Sequence, residues 1–360
     1  MNIRQVHSKK EYLEVADLIS KIFGQGIPGD PRDYFGSMDY WRKVVPKYPG
    51  FSWENLWIAE DRRKIIGNVM VSPREIKISR AVLRLGGAWG RSHPSPRRKQ
   101  GVASLLINSC IDYMREEGYD LSGLFGIPNF YPRFGFATSL METGLLLDTS
   151  RLAKLRKRWP VRRWRPGDLA DMEKLHTANS TGLVGGIVRS DAYWLSRRQR
   201  LKDFWVTTGE DGQVRGYIWL SKRKVKLSPE GTRLLVSEVA VDTSSQAATI
   251  AASDSLLWFL AREASANRIP RIEIPAPLDH PFVAHSFYEY SGTRYAETAK
   301  DAEGMIRIIN LGTTFEKLQN LLSDRLHTSA YWDWIILLWR TASTSIPAPG
   351  TQKPPKTQRG

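Results

Sequence analysis

The 360-residue chain carries 53 lysines and arginines against 37 aspartates and glutamates, a formal net charge of +16. With 41% hydrophobic and 25% charged residues it has the composition of a folded protein with an ample core, and its length predicts two domains. A lone cysteine, Cys110, excludes an intrachain disulfide and a thiolate metal cluster, and the six histidines lack paired ligand spacing, so no metal is expected.

Met1–His7 reads as a strand rather than a signal sequence, and no run of about 18 apolar residues is present to span a membrane. The expected compartment is the cytoplasm. The positive field attracts polyanions, whether nucleic acid, anionic lipid or a polyphosphate cofactor. An ordinary basic protein would carry the same excess.

Glu11–Phe23 has apolar residues at helical spacing, at Tyr12, Val15, Ile19 and Ile22. Asn55–Ala59 and Lys64–Val71 read as strands joined by the polar turn Glu60–Arg63. Glu75–Leu85 alternates apolar and polar residues as a further strand, and Gly86–Ser92 is the next, running into the basic loop Pro94–Ala103. An apolar helix follows over Ser104–Glu117, with Cys110 as a packed thiol, and then a short strand, Leu121–Ile127. Phe130-Tyr131-Pro132-Arg133-Phe134-Gly135-Phe136 closes this part.

Seven Arg or Lys lie between Arg151 and Arg163, which suggests a linker or boundary helix. A similar order of elements then restarts. A strand over Val161–Trp164, a helix over Leu169–Asn179 and a hairpin, Asp203–Thr208 with Val214–Leu220, lead to the strand Leu234–Val241. A helix over Ile250–Ala266 and the strand Arg271–Pro275 follow, so the order predicts an internal duplication. Thr314–Leu326 is helical in pattern, Tyr331–Trp339 is apolar and aromatic, and the tail 346–360 has the composition of a disordered segment.

The chemistry concentrates between Pro94 and Phe136. Gly101 and Ala103 let backbone amides at a helix start approach an anion, and Arg97, Arg98 and Lys99 add attraction for phosphate. Tyr131, delivered from the end of the next strand, is a phenol available as a proton donor. Each alone has a plainer reading: a basic loop before a helix, and an aromatic residue closing a core. Together they suggest a coenzyme A site with an acid beside it.

Arg98-Lys99-Gln100-Gly101-Val102-Ala103 resembles the acetyl-CoA loop of the GNAT superfamily, Arg/Gln-x-x-Gly-x-Gly/Ala, and Tyr131 falls where that family often places a catalytic tyrosine. The Phe-Tyr-x-Arg-Phe-Gly-Phe form and the duplication resemble the Eis-like acetyltransferases, over roughly residues 1–310. The resemblance implies tandem α/β (α+β) folds, each a mixed, mostly antiparallel sheet flanked by helices. Residues 1–150 would be the catalytic domain, 151–310 a degenerate copy, and 311–345 a truncated helical extension. It implies acetyl-CoA as co-substrate, an amine-bearing small molecule or peptide as acceptor, and a homo-oligomer.

By the same resemblance, amides of Arg98, Lys99, Gln100, Gly101, Val102, Ala103 and Ser104 cradle the pyrophosphate. Trp89, Gly90 and Arg91 bond the pantetheine arm, Asn129 contacts it, and Tyr131 protonates the departing thiolate. A free phenol titrates near 10 and a thiol near 8.5, so full transfer is uphill by about 2 kcal/mol unless neighbours such as Arg133 assist. The loop is one residue longer than the family's usual spacing, and the second half lacks it, with Asp242-Thr243-Ser244-Ser245-Gln246 in its place. His93 is a candidate base by type. His280 and His285 fall at the second half's counterpart of Tyr131 without an assigned role. Arg189, Tyr193, Trp194, Arg197 and Arg198 read as interfacial packing. Two other activities fit the same frame: an aminoacyl or longer-acyl transferase, and a non-catalytic basic scaffold binding nucleic acid.

Overall fold

In the computed structural model the described residues are 1–23, 37–92, 101–126, 129–181, 183–196, 203–226, 232–298 and 303–329. The first part runs β1 (Asn2–Gln5), α1 (Lys9–Phe23), α2 (Met38–Lys43), β2 (Leu56–Asp61), β3 (Lys64–Ile78), β4 (Ala81–Ser92), α3 (Val102–Glu116), β5 (Leu121–Gly126) and β6 (Ala137–Leu140). Then come β7 (Glu142–Asp148), β8 (Val161–Arg163), α4 (Leu169–Ser180), β9 (Val184–Ile187), α5 (Asp191–Ser196), β10 (Phe204–Thr208), β11 (Val214–Lys226) and β12 (Thr232–Val241). The chain closes with α6 (Gln246–Ala266), β13 (Arg271–Pro275), α7 (Pro281–Tyr290), β14 (Thr293–Glu297), β15 (Glu303–Ile308) and α8 (Leu311–His327).

The strand expected over Glu75–Leu85 is two strands. The hairpin turns at Ser79, held at φ 56, and pairs Ile78 with Ala81. Apolar alternation continues in step through this tight turn, which conceals the break. At the other end of β3 the expected turn forms with Arg62 (φ 49) and Arg63 (φ 61) both left-handed, the backbone that suits a two-residue hairpin.

Two mixed sheets form, in the orders β1-β2-β3-β4-β5-β15-β6, with β9 on β3, and β14-β7-β13-β12-β11-β10-β8. Each holds one parallel pair joined by a long helix, β4–α3–β5 and β12–α6–β13. The predicted duplication therefore appears as a repeated topology. The sheets do not divide at 150 or 310, however, because the halves exchange a strand. β7 lies between β13 and β14, and β15 lies between β5 and β6. Met305–Ile308 supplies most of β15.

Two of the hydrophobic cores are built by these long helices. Leu106, Ile107, Cys110 and Met114 of α3 bury against Val69, Val71 and Leu124 of the first sheet. Leu256, Leu257 and Leu260 of α6 bury against Ile218, Val236 and Ile272 of the second. Full burial of each such side chain contributes about 1.5–3 kcal/mol. Burial also pushes the Cys110 thiol far above its usual range, so it packs as an inert apolar group.

The start of β5 is anchored by α8. Asp120, fully buried, accepts bonds from the Arg84 amide (2.7 Å), Thr313 Oγ1 (2.8 Å) and Lys317 Nζ (2.6 Å). Burial works against its charge, but Lys317, the Arg84 amide and Thr313 outweigh it and hold the carboxyl below its ordinary value.

Candidate functional site

β4 and β5 separate as they run toward the start of α3. Parallel pairing holds from Leu85↔Leu121 to Gly87↔Gly123 and then stops, while β4 continues to Ser92 and β5 to Gly126. Against β3, β4 pairs Met70↔Trp89 and then Asn68↔Ser92, so it carries one extra residue in between. Such a bulge bends the strand and re-aims it. The result is a slot between two adjacent strands, with β15 on the far side of β5.

At the mouth of the slot, α3 begins without a side-chain cap. Its N-cap is Gly101 at φ 76, and a Cβ placed there would meet no atom of the described residues within 4 Å. Glycine adopts this left-handed backbone without the Cβ penalty, leaving the first-turn amides of Val102, Ala103 and Ser104 to an outside acceptor. The equivalent helix of the second half starts differently. Ser245 Oγ accepts the Ala248 amide at 3.1 Å, and the carboxylate of Asp242 takes the Ser244 amide at 2.8 Å. That start is already capped, and its neighbouring charge is negative.

Tyr131 enters after β5 on a short helical turn, Pro132–Phe134, that Gly135 ends at φ 75. Its carbonyl accepts the Phe134 amide at 2.9 Å, and its ring meets Phe130 (5.2 Å) and Phe136 (5.8 Å) edge to face. The ring lies over the bare backbone of Gly126, where a Cβ would stand 3.0 Å from Tyr131 Cδ2. Tyr131 is 3% exposed and lines a cavity of about 10 Å³ with Ala88 of β4, Ser122 and Leu124 of β5, and Ile107 and Cys110 of α3. Room for about one water is left there. The ring thus packs beneath α3, next to Ala88 of β4 and Ser122 and Leu124 of β5 where the two strands begin to part.

Arg133, expected to act on the phenol, is engaged elsewhere. Its Nη2 donates to Ser104 Oγ at 3.3 Å, and the guanidinium lies over the rings of Phe130 (4.2 Å) and Phe134 (5.0 Å). A fixed cation therefore stands at the first turn of α3. From the exchanged strand, Arg307 donates to the Phe134 carbonyl and pins the Tyr131 turn. Neither link was visible in the motifs, since Ser104 and Arg133 lie apart in sequence and β15 more than 170 positions further on.

Of the remaining expected residues, Trp89, Gly90 and Arg91 form the bulged end of β4, where the backbone alone is described. Asn129 is exposed and left-handed at φ 59. His93, Arg98, Lys99, Gln100, Arg197, Arg198, Tyr331–Trp339 and the tail lie outside the described residues. His280 caps α7, with Pro281 next, as Tyr131 precedes Pro132. Its Nδ1 accepts the Phe282 amide at 3.2 Å, and desolvation lowers its pKa to about 4. His285 Nε2 pairs with Asp254 (2.8 Å), which also holds Tyr290 (2.7 Å) and Arg158 (3.2 Å), tying α7 and the preceding linker to α6. Arg189 grips Glu238 bidentately at 2.7 Å on both arms, a packing role as expected. Among the described residues no cluster of His, Cys, Asp and Glu could hold a metal, and no helix is long and apolar enough to cross a membrane.

Residues 2–139 match the family model described as an acetyltransferase (GNAT) domain. Solved structures agree on the fold across nearly the whole chain. A GCN5-related N-acetyltransferase from Anabaena variabilis superposes with a TM-score of 0.64 at 15% identity, over 86% of this chain and 73% of that one. A probable N-acyltransferase from Enterococcus faecalis V583 gives 0.63 at 13%, over 88% and 74%. Eis1 from Mycobacterium abscessus gives 0.58 at 15%, over 88% and 75%. No curated protein matches in sequence.

Proposed function

We propose that the protein is an Eis-like N-acetyltransferase that moves an acetyl group from acetyl-CoA to a primary amine by direct attack. What supports this reading is the helix start at Gly101, joined to the Tyr131 turn by the Arg133–Ser104 bond, together with the separation of β4 and β5 next to the Tyr131 ring. The residues fit the coenzyme: the space at Gly101 is open, the first-turn amides are uncapped, and Arg133 adds a cation beside them.

When bound, acetyl-CoA supplies an activated acyl carbonyl. Amides from Arg98 to Ser104 hold its pyrophosphate, and the bulged end of β4 at Trp89, Gly90 and Arg91, with Asn129, orients the pantetheine arm. The amine nitrogen forms the new C–N bond as the C–S bond breaks, and the sulfur takes the proton of Tyr131. The proton released from the amine restores the phenol through solvent. Acid assistance of this kind contributes about 10²–10⁴-fold. The second half, whose helix start is capped by Ser245, serves as scaffold and wall.

Calorimetric titration with acetyl-CoA tests the reading. Micromolar binding by the wild type, lost in Arg98→Glu, supports it. No binding, with salt-sensitive retention on nucleic acid instead, removes the enzyme and favours a basic scaffold.

A further inference from the structure

β5 is an interior strand, flanked by β4 and β15, yet its Phe125 is 71% exposed. Strand alternation fixes the side on which it stands. Ser122 and Leu124 line the cavity beneath α3, so Leu121, Gly123 and Phe125 lie on the opposite face of the sheet. On that face the paired stretch ends at Gly87 and Gly123, where Leu85 and Ile306 pack over Gly123, and the strands part beyond them toward Phe125. Next along the sheet, Gly304 of β15 pairs with Phe125, and Leu140 of β6 pairs with Gly304. Leu140 leans over that glycine so closely that a Cβ there would lie 2.6 Å from Leu140 Cβ.

Phe125 therefore stands beside a glycine that Leu140 covers, next to the slot. Leu140 is 39% exposed, the adjoining Met141 58%, and Val184 of β9 62%. Gly185, next to Val184, comes within 3.7 Å of Leu140 Cδ2 when given a Cβ, so the second half contributes to the rim. A contiguous apolar surface at such a place marks a binding site more than an accident of packing. The other face of the slot is filled by Tyr131 and the α3 core, so an acceptor reaches the reacting carbonyl from the Phe125 side.

We propose that Phe125 is the acceptor platform, and that the site takes a primary amine carried on a flat aromatic body, an arylalkylamine, in preference to a polycationic amine. The proposal rests on the N-acetyltransferase reading and names its substrate class. An aromatic acceptor covers the exposed ring by stacking or edge contact and loses its own hydrated surface. A polyamine gains only a weak cation–π contact at an exposed ring, and each added ammonium is repelled by a protein of net charge +16.

The test compares kcat/KM for 2-phenylethylamine, n-propylamine and spermidine in the wild type, Phe125→Ala and Phe125→Tyr, with acetyl-CoA binding followed separately by calorimetry. The wild type is expected to favour phenylethylamine over propylamine by about tenfold or more. Phe125→Ala, a surface change that keeps the fold, brings that ratio to within about threefold, and Phe125→Tyr restores it. Spermidine as the best acceptor, an unchanged ratio in Phe125→Ala, or acetyl-CoA binding with none of the three amines acetylated overturns the platform. Absence of acetyl-CoA binding in the wild type is a separate result: it fells the acetyltransferase reading, and the proposal with it.

Discussion

Two substitutions at Gly101 separate backbone strain from charge at the proposed phosphate cradle. The residue is left-handed at φ 76, and a Cβ there meets no atom of the described residues within 4 Å, so Gly101→Ala meets no clash with them and Gly101→Glu starts from the same open position. Both carry the same cost of an L-residue in this conformation, about 1–2 kcal/mol, and both lower Tm alike. Only the glutamate sets a negative charge where the pyrophosphate is held. Two like charges 4 Å apart interact by about 4 kcal/mol at an effective dielectric constant of 20. Solvent exposure reduces this to about 1–3 kcal/mol, so the Glu variant should bind acetyl-CoA about five- to a hundredfold more weakly than the Ala variant. Calorimetry at low and high salt reads the ratio, which shrinks as salt screens the repulsion. Equal Kd values within twofold, or a gap indifferent to salt, would refute the assignment of the α3 amides to the phosphates. A loss of stability well beyond about 2 kcal/mol in Gly101→Ala would show that the space is not open.

Tyr131→Phe is expected to lower kcat by about 10²–10⁴-fold with little change in KM for acetyl-CoA, since the ring contacts survive; a kcat within threefold of wild type in steady-state assays would remove the phenol from the chemistry. Asp120→Ala leaves the Arg84 amide and Thr313 without their acceptor and should cost about 3 kcal/mol in chemical denaturation. Because the folded Asp120 carboxyl titrates below its ordinary value, its contribution is present above the unfolded value of 3.8 and is lost as pH falls beneath it. Asp120→Asn should flatten that part of the stability–pH curve. His280 has the opposite chemistry and the same direction. Its folded pKa of about 4 lies under the ordinary 6.5, so the unfolded chain takes up the proton first. Stability is full above pH 6.5 and declines toward pH 4, by about 3 kcal/mol from this group, and His280→Gln should shallow the slope in that window.

The sequence by itself determined the local devices. A glycine before an apolar helical run must start that helix left-handed or uncapped, and Phe-Tyr-Pro-Arg-Phe-Gly-Phe writes its own turn, because Pro132, the Tyr131 carbonyl and Gly135 interact within five residues. The order of elements likewise carried the duplication, through periodicities that each segment shows alone. Only the tertiary structure decided the rest. β15 and β7 trade places between the sheets, and an apolar strand carries no mark of which edge it will pair with. The slot depends on where β4 and β5 stop pairing, Arg133 reaches Ser104 across it, and Phe125 is left exposed because its cross-strand neighbour is Gly304. Each is a relation between residues far apart in the chain, set by strand register and layer packing, to which local propensity is blind.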